Sequence, residues 1–291
     1  MSSDVERPVK WINRNGTLNV EHFVLTRFNV RAAGGSTAKI HDSAWLTYRL
    51  GLFEEFCLPS VIRQTRLPTA WINIFDVGTP REILAQFEEM IAPYAFIKYV
   101  QCQEFTAEFA AECVRDHTSP GCSWIITTRL DNDDAINIRF LEEIFLAASI
   151  GTYEFINAPN GLVKSEHRYY CKSDRSNAFI SASEPVETCR TVYIDQHTRL
   201  SRYAAIKQVP LKYAWLQMIH GDNVANRPRG VRVPRGMVDR NWFPEAFSAE
   251  ISKESLGEMI ADNSVGLAIR WGASLNRWLG TRIGERLKIS D

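Results

Sequence analysis

The feature that most restricts the fold is a fourfold alternation, between His22 and Ile150, of short apolar runs with longer segments of helical spacing. HFVLTRFNV, AWINIFD, FIKYVQC and SWIITTRL are rich in β-branched and aromatic residues and read as strands. After the first, beyond a Gly34-Gly35-Ser36 loop, Trp45, Leu46, Leu50, Phe53, Phe56, Leu58 and Ile62 recur at three- and four-residue intervals. After the second, Thr79 and Pro80 suit an N-cap and a first helical position, and Ile83, Leu84, Phe87, Met90 and Ile91 share a face. TAEFAAECVRDHT and INIRFLEEIFLAASI complete the series as a third and fourth helix. Strands joined through helices need right-handed crossovers, which build a largely parallel sheet covered on both faces. The expected fold is α/β, with a doubly wound, mostly parallel central sheet flanked by helices. Such sheets bind ligands outside the carboxyl ends of their strands.

After Gly151 the alternation loosens. YEFINAPNGLVKSEHRYYCKS suggests a hairpin around Pro159-Asn160-Gly161, NAFISASEP a short extended run, and TCRTVYIDQHTRLSRYAAI a strand passing into a helix. WLQMIHGDNVANRPRGVRVPRG reads as a strand followed by an Arg/Pro-rich loop. With no Ser- or Gly-rich linker and no internal repeat, this stretch reads as an elaboration of the same domain. From Ser252 onward the pattern returns to helix. Leu267, Trp271, Leu275, Trp278, Leu279, Ile283 and Leu287 lie on one side, and Arg270, Arg277, Arg282, Arg286 and Lys288 mostly elsewhere. A basic amphipathic helix with two Trp can lie in a membrane interface, while docking on its own domain is the plainer expectation.

Composition closes off several function classes. The 34 basic side chains balance the 34 acidic ones, which is not the charge of a general nucleic-acid binder. The six cysteines, Cys57, Cys102, Cys113, Cys122, Cys171 and Cys189, include no CxxC pair and sit among apolar neighbours, as buried thiols of a reducing compartment do. MSSDVERPVKW lacks a signal peptide's apolar centre, and no window approaches the ~20 apolar residues of a membrane span. The expected location is the cytoplasm, with peripheral contact at the inner face of the plasma membrane through the tail as a variant.

The chemistry concentrates at the end of SWIITTRL, where Asp131-Asn132-Asp133-Asp134 forms an acidic knot. Alternate residues of a strand face one way, so Asp131 and Asp133 are expected to point together into the ligand crevice. Two repelling carboxylates call for a cation, and hard oxygen ligands suit Mg²⁺ or Mn²⁺ bridging to a nucleotide's phosphates. Asp134 suits the cap of the following helix. An EF-hand is excluded because Ile136 stands where its glycine is required. A phosphoaspartyl transferase would also place Asp-x-Asp after an apolar strand, but usually with Thr or Val where Ala135 sits and with that strand near the N-terminus.

HFVLTRFNV, LGLFEEFCLPSVIRQT, WINIFD, ITTRLDNDDAI, FINAPNG, SASEP and WLQMIHGDNVAN, in this order, resemble the rhamnosyltransferase family of bacterial glycosyltransferases. The resemblance runs from about residue 20 to 230 and implies a GT-A-like fold. It also implies transfer of a sugar, rhamnose by the family's name, from a nucleoside-diphosphate donor into a surface polysaccharide or glycoconjugate. On that plan residues 1–250 form the glycosyltransferase domain, with a nucleotide-sugar half at about 20–150 and an acceptor half at about 151–250; residues 251–291 are a helical extension. Thr26, Arg27 and Phe28 would meet the nucleotide, Phe28 by stacking and Arg27 by pairing with phosphate. Asp76 would hydrogen-bond the base or ribose, and Arg129, Asp131 and Asn132 would touch the donor. Asp131, Asp133 and a late His220 would hold Mn²⁺ or Mg²⁺, with Asp222 and Asn223 beside them. Arg227, Arg229, Arg232 and Arg235 would close over the diphosphate. Glu184 would be the catalytic base, preferred to Glu187 and Asp195, and Asn157, Asn160 and His197 would bind the acceptor. The alternatives are an Asp131-dependent phosphotransferase or phosphohydrolase and a carbohydrate- or nucleotide-binding protein without turnover.

Overall fold

Four strands fall where the apolar runs predict them: β3 (Val20–Arg27), β4 (Ala70–Asp76), β5 (Ile97–Cys102) and β6 (Trp124–Arg129). The computed structural model, which describes residues 11–13, 16–30, 40–220, 230–234, 236, 238, 242–243, 257 and 259–264, adds to them a short antiparallel pair, β1 (Trp11–Asn13) with β2 (Gly16–Leu18), and, among the described residues, eight further strands. The four are parallel to one another in the order β5-β4-β3-β6. Beyond β6 the sheet continues through β11 (Ser181–Pro185), β8 (Glu154–Asn157) and β12 (Ile206–Gln208), giving seven strands. β11 runs antiparallel to both its neighbours, while β12 is parallel to β8.

Side chains alternate between the two faces as a pleated strand requires. Val24, Trp71, Phe75 and Ile126 join one core, packed by Leu46, Leu50, Val61, Phe87 and Phe145 from the helices. Phe23, Leu25, Ile72, Ile74 and Ile125 join the other, packed by Ala110, Ala111, Val114 and Leu200. The first face is thus covered by α1 (Ser43–Leu52), α2 (Leu58–Ile62), α3 (Arg81–Ile91) and α5 (Phe140–Ala147), and the second by α4 (Ala107–Asp116) with a 3-10 segment over His197–Arg202. The expected α/β architecture, a mostly parallel central sheet with helices on both faces, is the one observed. Asp42 caps α1 by accepting from the Trp45 N–H at 2.7 Å, and Thr106 caps α4 by accepting from Phe109. Between α1 and α2 the turn Phe53–Cys57 is π-helical.

A second, five-stranded sheet is the part that periodicity does not reveal. Its order is β14 (Val231–Val233), β10 (Arg168–Ser173), β9 (Asn160–Ser165), β13 (Trp215–Ile219) and β7 (Ala135–Ile136). The predicted hairpin at Pro159-Asn160-Gly161 is not formed, because β8 belongs to the main sheet and β9 to the second one. The turn lies instead at Glu166-His167, between β9 and β10, with Glu166 at a positive φ of 53°. Gly161 serves close approach: a Cβ there would stand 2.0 Å from the Trp215 ring. The fourth helix starts at Phe140 rather than near Ile136, because Ala135 and Ile136 pair with Leu216 and Trp215. No strand forms across Thr188–Asp195. The predicted amphipathic tail helix from Leu267 onward lies outside the described residues. No helix among the described residues is long and apolar enough to cross a membrane.

Candidate functional site

The acidic knot is the crossing between the two sheets: β6 ends at Arg129 in one, and β7 begins at Ala135 in the other. Its four side chains go separate ways. Asp131 stays partly exposed and pairs with Arg129 at 3.3 Å. Asn132 is fully buried, donating to the Phe28 carbonyl at 3.3 Å and accepting from Arg49. Asp133 is buried, with its Oδ2 2.6 Å from Arg49 Nη1 and 2.9 Å from His220 Nε2. Burial pushes the Asp133 carboxyl up, but the His220 hydrogen bond and the Arg49 charge outweigh it and hold the group below its usual range. Asp134 accepts from the Met218 N–H at 2.8 Å, so it anchors β13 rather than capping a helix that starts six residues later. Burial, then the charges of Asp133 and Asp131, drive its carboxyl well above the usual range.

Two of the three predicted metal ligands, Asp133 and His220, are brought together, and the third is not, since Asp131 is turned to Arg129. Among the described residues no group of three His, Cys, Asp or Glu side chains gathers to hold a metal ion. A guanidinium stands against Asp133 and lies 3.3 Å from His220 Nε2, the place a cation would take. The residues as arranged do not fit a Mg²⁺ or Mn²⁺ site, which needs several free oxygen ligands around one point.

Arg27 and Arg129 project from the carboxyl ends of adjacent parallel strands on the same face, and together they line an open cleft of about 710 Å³. Phe105, Tyr193, Asp195, His197 and the first turn of α4 complete its walls. The Arg27 guanidinium lies 5.5 Å from the Phe105 ring and 5.2 Å from the Tyr193 ring, and Arg129 lies 5.4 Å from Tyr193. Aromatic faces hold both guanidinium groups in place, and the charge of Arg129 is shared with the partly exposed Asp131. Burial and the nearby Arg129 lower the His197 pKa, leaving a neutral imidazole at neutral pH. Asp195 is ionised there too, because the Gln196 N–H stabilises its carboxylate and holds its pKa down. Phe105, Tyr193 and Arg49 went unnoticed in the sequence, each being one aromatic or basic residue among many until the fold sets it beside the knot.

Several predicted contacts are internal instead. Thr26 is buried and accepts from Trp71 Nε1 at 2.9 Å. Phe28 stacks on Phe75, with ring centroids 4.4 Å apart, and packs edge-on to Phe53 and Phe87, so its faces belong to the core and not to a nucleobase. Asn157 is buried and committed to Asp174, Gln208 and Asn177. Glu184, 1% exposed, pairs in register with Ile125, four rungs or about 13 Å back from the Arg129 end of β6, so it is no base for this cleft. Asp76 does close β4 at the expected edge, but its carboxylate accepts from the Gly78 N–H and lies 2.6 Å from His41 Nε2. Asn160 is exposed on the second sheet, beside a separate recess of about 420 Å³ with Lys172, Lys212 and Tyr213. Arg232 is buried in β14 and pairs with Asp262 at 2.8 Å, so it does not belong to a lid, and Asp262 and Asn263 tie the start of the predicted extension to the second sheet. Asp222, Asn223, Arg227, Arg229 and Arg235 lie outside the described residues.

Similarity to solved structures is distant. One is TarS 1-349 of S. aureus in complex with UDP, 10% identical over 68% of this chain with a TM-score of 0.40; this chain spans 60% of that one. Another is 4-diphosphocytidyl-2C-methyl-D-erythritol synthase of Anaerococcus prevotii, 10% identical over 84% of this chain and 97% of that one, with a TM-score of 0.34. At these scores neither adds to the argument. No curated protein matches the chain. The match that carries weight is to the family described as "Putative rhamnosyl transferase", which covers residues 21–232 and so most of the chain. This protein belongs to that family.

Proposed function

We propose that the protein is a glycosyltransferase that moves a sugar from a nucleoside-diphosphate donor to a saccharide or glycoconjugate acceptor in surface polysaccharide synthesis, with rhamnose the sugar that the family name favours. The observation that carries this reading is the convergence of Arg27 and Arg129 in one aromatic-walled cleft at the carboxyl ends of β3 and β6. Guanidinium forks match phosphate oxygens, and two of them held in place stabilise the negative charge that grows on a departing diphosphate. The acceptor hydroxyl must lose a proton as it attacks the anomeric carbon. Asp195, a partly exposed carboxylate on the cleft wall, takes it in place of the buried Glu184. His197, neutral and on the same wall, hydrogen-bonds the acceptor.

Calorimetric titration of the full chain with UDP, dTDP and GDP tests the reading. At least one should bind, and Arg129→Ala should weaken it by about 10- to 100-fold, the value of one charge-assisted phosphate contact. Silence with all three nucleotides, or an unchanged affinity in R129A, would sink it.

A further inference from the structure

In an Asp-x-Asp site a divalent cation has two jobs: it cancels the repulsion between carboxylates, and it offers positive charge to the leaving phosphates. Here both carboxylates already have a cation of the protein's own, Asp131 from Arg129 and Asp133 from Arg49. The second pairing is the more tightly built. Arg49 Nη1 reaches Asp133 at 2.6 Å while Nη2 donates to Asn132, so one planar fork grips two consecutive residues of the knot. His220 Nε2 lies 3.3 Å from the same Nη1 and 2.9 Å from Asp133. The oxygen and nitrogen atoms that would be offered to a metal are thus gathered around a guanidinium.

The scaffold around Arg49 points the same way. Its side chain is 13% exposed and lies 5.7 Å from the Trp45 ring, one turn back on α1. A guanidinium does not lose its proton in a protein, so the charge is permanent. A metal entering at Asp133 would have to break a buried ion pair and then face the displaced cation.

We propose that Arg49, and not a divalent ion, is the cation of this acidic knot, and that the protein handles its nucleotide without metal. That the nucleotide needs no metal rests on the glycosyltransferase reading above; the hold of Arg49 on Asp133 does not.

Electron paramagnetic resonance of Mn²⁺ mixed with the full-length protein decides the first point. No protein-bound Mn²⁺ is expected at concentrations up to about millimolar, far above the affinity of a working carboxylate site. Micromolar binding that Asp133→Asn abolishes would overturn the proposal. Nucleoside-diphosphate titrations in EDTA and in Mn²⁺ decide the second. Affinities should agree within about twofold, and a tightening of about tenfold or more with Mn²⁺ would overturn it. If no nucleotide binds under any condition, the transferase reading fails while the Mn²⁺ spectrum still decides whether Arg49 owns the site.

Discussion

At Glu184 both carboxylate oxygens accept backbone N–H groups, from Arg190 at 2.9 Å and from Thr191 at 2.7 Å. The side chain holds the loop after β11 against the sheet, a structural task for a charge that the sequence displays as if for catalysis. Glu184→Ala leaves the buried Thr191 N–H and the part-buried Arg190 N–H without their acceptor and is expected to cost about 1–3 kcal/mol in urea unfolding. The turnover of the variant that remains folded should stay within about threefold of wild type, and a loss of orders of magnitude would restore Glu184 as the base. Burial raises its carboxyl pKa above 4.5, partly offset by the two N–H groups. Between the unfolded and folded pKa values the native state binds more protons, so its stability falls as pH rises through that window. Glu184→Gln should lack this slope, which denaturation at a series of pH values measures directly.

At the scale of elements, the alternation from β3 to α5 was legible because burial dictates it: a strand covered on both faces must be apolar, and a crossover helix must be amphipathic. AWINIFD ends on Asp76 as β4 does, and the helical spacing from Ser43 to Ile62 is realised as one rod, α1, its π turn and α2. The knot was legible for a related reason, since carboxylates at a strand end stand out against an apolar run. What they pair with was not, because Arg49 and His220 are 84 and 87 residues from Asp133 in the chain. The second sheet was hidden by its short strands and by Pro159-Asn160-Gly161, a turn signal used for another purpose. Gly161 is there because Trp215 lies across it, stacked on Phe179 at 5.1 Å. Gly161→Ala should therefore destabilise the protein by about 2–4 kcal/mol through overpacking, read as a lower melting temperature with red-shifted Trp emission. Wild-type stability in this variant would mean that the glycine is dispensable and the contact loose.

For the whole molecule, 34 positive and 34 negative side chains give a sequence pI near 7.0 and no net charge to draw an anionic ligand from a distance. Ligand capture then depends on the local arginines of the cleft rather than on steering from a distance. A chain without net charge also lacks self-repulsion, so colloidal solubility should pass through its minimum near pH 7. Polyethylene glycol precipitation from about pH 5.5 to 9 checks this, and solubility rising steadily across the range would contradict it. The reversed strand β11 has a consequence for how the chain is made. It lies between β6 and β8 in space but follows β8 in sequence, so β8 waits without its inner partner until residues 181–185 leave the ribosome. Until then β6 is an open, apolar edge, the kind that recruits other chains. Expression pieces that stop between β8 and β11 are therefore the ones that nascent-chain chaperones will have to hold, and a workable boundary must also lie beyond β13, which joins β9 to β7.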